Sequence, residues 1–169
     1  MIDFHALYER YSASVRRFAL FLSGDAFLAD DITSETFVRA WVARDRIEQA
    51  TMKAYLFTIA RNLYHDAQRL AQRHTALPEV VTDIAANAAH NAEMKADFAL
   101  VLAAMQKLPE IDRAALLMRA QEEMSYEEIA QALGLSTAAA RVKVHRARLK
   151  LAIETGLGQA RNRKPEGAP

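Results

Sequence analysis

Two helix-start signals flank a single glycine between Ser125 and Ser136, and little other than two short helices in tight succession satisfies them. Ser125 precedes Glu128 by three positions, the spacing at which a hydroxyl and a carboxylate cap each other's amides at a helix start. Ile129, Ala130 and Leu133 then share one face of a short helix from Tyr126 to Leu133. Gly134 supplies the turn, Leu135 an apolar plug and Ser136 a second cap. The helix that follows, from Thr137 to about Glu154, aligns Ala140, Val144, Ala147 and Leu151 along one stripe. Ahead of this pair, Ile111, Ala115, Leu116 and Met118 lie in one more helix beginning after Pro109. The pattern is a helix-turn-helix.

The rest of the last helix is chemically biased. Arg141, Lys143, Arg146, Arg148 and Lys150 are basic, and no acidic residue stands among them. Opposite the apolar stripe sit Ala138, Val142 and His145, flanked by Arg141 and Arg146. Small residues at the N-terminal end let a helix approach base edges, and the surrounding cations can hold phosphates or reach guanine. A solvated amphipathic helix is the plainer reading of a charge run taken alone. The coincidence of two caps, a glycine turn and a purely basic face favours major-groove binding. Ser136, Thr137, Arg141, Val142, Lys143, His145, Arg146 and Arg148 are the candidate contacts.

Helical periodicity also governs the remainder, with only five glycines and four prolines in 169 residues. Asp3 can cap a helix carrying Phe4, Leu7, Tyr8, Tyr11, Val15, Phe18 and Leu22 at helical spacing, ended at Ser23-Gly24-Asp25. A second helix places Leu28, Ile32, Phe37, Ala40 and Trp41 on or near one face, and Phe37 and Trp41 are assigned to the core. Residues 44–51 lose the period and read as a loop. A third helix runs from about Met52 to His74, with Leu56, Ile59, Ala60, Leu63, Ala67 and Leu70 facing inward. Residues 75–93 are small and weakly acidic, are broken by Pro78, and read as a linker. Periodicity returns at Met94, Phe98, Val101, Leu102 and Met105. The expected architecture is all-α: two small helical domains, 1–74 and 94–155, joined by the linker and followed by a disordered tail at 156–169.

The net charge of +1 hides a local distribution. Residues 74–93 hold Glu79, Asp83 and Glu93 and no Lys or Arg, so attraction to nucleic acid must come from local patches in the flanking segments. Cysteine is absent, which removes disulfides and thiolate metal sites. His5, His65, His74, His90 and His145 are scattered without metal-ligand spacing, and no glycine-rich phosphate loop is present. Nothing therefore indicates an enzyme, a metal or a cofactor. The N-terminus shows no secretory signal and no apolar run approaches the roughly 20 residues of a membrane span, so a cytoplasmic location is expected.

The segment LPEIDRAALLMRAQEEMSYEEIAQALGLSTAAARVKVHRARLKL resembles the C-terminal promoter-binding domain of bacterial sigma factors of the extracytoplasmic-function group, in the sigma-70 family. ADDITSETFVRAW resembles the segment by which these factors grip core RNA polymerase, and YLFTIARNLYHDAQR their promoter-melting helix. The resemblance covers residues 4 to 154, with the pieces in the family's order. It implies that the chain binds core RNA polymerase and promoter DNA, one domain at the minus-ten element and the other at the minus-thirty-five element. An anti-sigma partner is common in the family. Under this reading Asp31, Ser34 and Glu35 contact the polymerase clamp helices, and Arg46, Lys53, Arg61, Asn62 and Arg69 contact the minus-ten strand. Helix N-termini also favour carboxylates, which would account for Asp30 and Asp31 without a partner. Tyr55 and Tyr64 could stack on extruded bases or belong to the core. The chain departs from the family at Val142, where a polar contact residue is common, and at Tyr55, where tryptophan is frequent. Two other classes are a sigma-mimicking adaptor that binds an anti-sigma factor but not DNA, and a dimeric helix-turn-helix regulator. The basic last helix argues against the first and the N-terminal domain against the second.

Overall fold

A computed structural model describes residues 2–74 and 92–156, and the linker and tail assignments otherwise lie outside them. Seven α-helices order these residues: α1 (Phe4–Ser23), α2 (Ala26–Ala43), α3 (Met52–Arg73), α4 (Ala92–Gln106), α5 (Glu110–Ala120), α6 (Tyr126–Leu133) and α7 (Thr137–Thr155). Helix α4 thus starts at Ala92, two residues earlier than periodicity suggested.

Local chemistry sets the boundaries. Asp3 accepts from the amides of His5 and Ala6, and Asp25 from those of Phe27 and Leu28, so one carboxylate starts each of α1 and α2. Gly24 sits between them at φ 70°, and its amide donates to Leu20 O at 2.7 Å. The segment read as a loop contains two short 3-10 turns, Arg44–Arg46 and Gln49–Thr51, with Ile47 packed against the core between them.

Helices α1, α2 and α3 close on Val15, Phe18, Leu22, Phe37, Leu56, Phe57 and Ala60, all buried. Phe18 and Phe57 meet edge to face at 5.1 Å between ring centroids, the arrangement favoured by ring quadrupoles. Thr33 and Thr36 are also buried, and their hydroxyls donate back to Ala29 O and Ile32 O, which leaves neither unsatisfied.

Two inward assignments fail. Leu70 is exposed, because α3 continues past its last buried residue, Tyr64, for more than two turns without a covering helix among the described residues. Trp41 keeps 46% of its surface exposed: the Phe4 ring and the Arg44 guanidinium both meet it, and no further element among the described residues closes over it. Phe37 is buried, as expected.

In the C-terminal half, α5 is buried without interruption from Asp112 to Met118. A helix covered all round needs neighbours on every side, and α5 has α7 and α6 on one side and α4 and α1 on others. The two halves therefore share one continuous buried cluster. Ring contact between Phe21 and Phe98, and a hydrogen bond from Gln106 Nε2 to Phe21 O, join α1 to α4. Buried Arg113 donates to the carbonyls of Met105, Gln106 and Leu108, closing the C-terminal end of α4, and to the Tyr64 hydroxyl across the junction. That contact assigns Tyr64 to the core.

Candidate nucleic-acid interface

The turn motif forms as its residues dictate. Ser125 Oγ accepts from the Glu128 amide at 3.1 Å and Glu128 Oε2 from the Ser125 amide at 2.7 Å, a complete capping box. Gly134 adopts φ 65° and the Leu135 amide returns to Ala130 O at 2.8 Å. Ser136 Oγ then accepts from the Ala139 amide, so α7 leaves the turn in a defined direction. Ala140, Val144 and Ala147 anchor its inner face with no exposed surface.

The outer face carries Ala138, Arg141, Val142, His145, Arg146 and Arg148, all exposed. Ser136 is exposed and Thr137 half-buried at the N-terminal end. Tyr126 of α6 lies between two guanidinium groups, Arg119 at 4.5 Å and Arg141 at 5.1 Å from its ring centroid. Such stacking steers Arg141 while leaving its nitrogens free to donate. Lys143 differs from its neighbours: its side chain is only 20% exposed, and its ammonium meets Asp112 Oδ1 at 3.4 Å. Arg146 keeps 51% of its side chain exposed while its Nε lies 3.4 Å from Asp112 Oδ2.

The five N-terminal cations and amides expected on one strand-binding surface divide into two sets. Arg46, Asn62 and Arg69 are exposed. Arg61 is engaged, donating from Nε and Nη2 to the two carboxylate oxygens of Glu110 at 2.8 and 2.9 Å. His65 Nε2 approaches the same carboxylate at 3.3 Å. The Lys53 ammonium donates to the Glu122 carbonyl, and Arg17 lies 3.6 Å from the Glu122 carboxylate. Both Glu110 and Glu122 belong to the C-terminal half, so it covers part of the candidate strand-binding face.

Asp31, Ser34 and Glu35 lie on the outward side of α2, with Asp31 and Ser34 exposed and Glu35 half-buried and paired to Arg39 at 2.8 Å. None belongs to the first turn, since α2 starts at Ala26, and Asp30 is bound to Arg16 of α1 at 2.6 Å. Helix-end electrostatics therefore does not account for these carboxylates. Val38 and Val42, 56% and 70% exposed, extend the same face toward Trp41. Sequence reasoning missed Asp112, Glu110 and this apolar extension. Among the described residues no helix is long and apolar enough to cross a membrane.

Comparison with known proteins finds matches to both halves of the chain. Residues 7–74 match the family described as Sigma-70 region 2, and residues 98–151 match Sigma-70, region 4. The chain is 34% identical to the ECF RNA polymerase sigma factor EcfG of Rhodopseudomonas palustris, over 82% of this chain and 77% of that one. It is 29% identical to the ECF RNA polymerase sigma factor SigM of Bacillus subtilis, over 86% and 90% respectively. Among solved structures, the sigma factor RpoE of Bartonella quintana, in complex with the anti-sigma factor NepR, aligns with a TM-score of 0.74. That alignment covers 91% of this chain and 97% of the other at 25% identity.

Proposed function

The chain belongs to the extracytoplasmic-function group of sigma-70 RNA polymerase sigma factors, and from that premise we propose that it binds core RNA polymerase, directs it to specific promoters and helps to open the DNA. The observation that carries this reading is α7, anchored by Ala140, Val144 and Ala147 and presenting Arg141, Arg146 and Arg148 outward from a capped turn. A helix so held can enter the major groove at the minus-thirty-five element. Arg146 reads a guanine edge there, Arg141 and Arg148 hold phosphates, and Ser136, Thr137, Val142 and His145 line the approach. Lys143 adds less than a free lysine would, because Asp112 engages it.

On the N-terminal half, Asn62 and Arg69 with Arg46 form the open part of a minus-ten strand surface, which Arg61 and Lys53 complete once the C-terminal half releases them. Asp31, Ser34 and Glu35, extended by Val38 and Val42, form the polymerase face. Residues 1–74 and 94–155 act as the two DNA-binding domains. The protein works beside the polymerase in the cytoplasm, supplies no catalytic step of its own, and takes an anti-sigma factor as a further partner.

Run-off transcription with purified core polymerase tests this, using a promoter selected from a random-sequence pool by the reconstituted complex. Defined transcripts that require the chain are the expected result. A sigma-mimicking adaptor would bind an anti-sigma factor and yield none. A dimeric regulator would shift duplex DNA by itself and leave core polymerase unable to initiate.

A further inference from the structure

Asp112 stands in the first turn of α5, yet its carboxylate faces across the motif to α7. Its side chain is only 3% exposed, and a carboxylate so far from water needs opposite charge beside it. Both oxygens are occupied from one helix: Oδ1 faces the Lys143 ammonium and Oδ2 faces Arg146 Nε, each at 3.4 Å. The consequences for the two cations differ. Lys143 is drawn inward to 20% exposure, and its single charge is spent on the pair. Arg146 forms an ion pair with the carboxylate, its edge nitrogen nearest, and half of its side chain stays outside. An ion pair on the Nε edge leaves the two terminal nitrogens, which form a planar fork suited to two acceptors, available to a ligand.

We propose that Asp112 is a positioning residue for promoter recognition, which orients the Arg146 fork toward a guanine edge and withholds Lys143 from the phosphates. The proposal rests on the reading of α7 as the DNA-facing helix. Without the tether both side chains gain rotamer freedom, Arg146 can satisfy itself on phosphate as readily as on a base, and Lys143 becomes a further counterion-releasing contact. Asp112 thus exchanges non-specific affinity for selectivity.

The test uses the full chain bound to core polymerase, with DNA affinity measured over single-base changes in the upstream element and over a series of salt concentrations. Asp112→Asn keeps the shape and removes the charge. Its expected signature is a loss of discrimination at one base position of about fivefold or more, with a salt slope steeper by about one unit. Weaker binding by one factor on all sequences, at unchanged slope, would mean that Asp112 only supports the fold and would overturn the proposal. Lys143→Gln supplies the same decision even if Asp112→Asn folds poorly. It should leave the salt slope unchanged, and a fall of about one unit would reveal a free phosphate contact and remove the tether. Arg146→Ala separates the two levels of inference. A base preference untouched by this change would refute the DNA-facing assignment of α7 itself, independently of Asp112.

Discussion

Single side chains divide here into those whose removal should unfold the protein and those whose removal should disarm it. Phe57 is fully buried against Phe18, so Phe57→Ala should lower stability by about 3–5 kcal/mol in denaturant unfolding. Glu35 is half-buried on the outside of α2 and, among the described residues, pairs within its own helix, near the surface where such bonds contribute little. Glu35→Arg should therefore leave the helical circular-dichroism spectrum intact while reducing co-purification with core polymerase. Normal co-purification would remove Glu35 from the polymerase face. The residues that sequence reading missed share a physical trait. Asp112 and Glu110 look like ordinary first-turn carboxylates, and their partners lie 31 and 49 positions away, beyond any local pattern. Leu70 and Trp41 show the converse limit: periodicity reports which face a residue occupies, not whether another element reaches far enough to cover it.

Among the elements, the turn motif was the most legible in sequence because its determinants are local. Ser125, Glu128, Gly134 and Ser136 each act within four residues, and all four do in the structure what their spacing predicts. Ser125→Ala removes the acceptor for the Glu128 amide and should cost about 1 kcal/mol in thermal or denaturant unfolding. At Gly134 an added Cβ meets nothing within 4 Å, so substitution there is opposed by backbone conformation alone. Gly134→Ala at φ +65° should cost about 1–2 kcal/mol, and a neutral effect would show that the left-handed turn is not required. Helix α5 was less legible. Its inward stripe was readable, but unbroken burial from Asp112 to Met118 depends also on α1, which is remote in sequence.

At the level of the whole molecule, the contact between the halves engages groups proposed to bind DNA. Arg61 has its Nε and Nη2 on Glu110, so in the proposed role it engages a strand fully only when that junction opens. Glu110→Gln should raise the affinity of the free chain for a single-stranded minus-ten oligonucleotide by about fivefold, measured by fluorescence anisotropy. Unchanged affinity would mean that Arg61 is not withheld by this contact.

The central claim, that the chain gives core polymerase the ability to recognise and open a promoter, is tested most directly by permanganate reactivity of unpaired thymines in the minus-ten element. Reactive thymines are expected only when chain, core polymerase and promoter are combined, and Arg61→Ala with Asn62→Ala should abolish them while retaining the closed complex. Thymines that stay unreactive in the complete mixture on a promoter it binds, or that react equally with core polymerase alone, would contradict it.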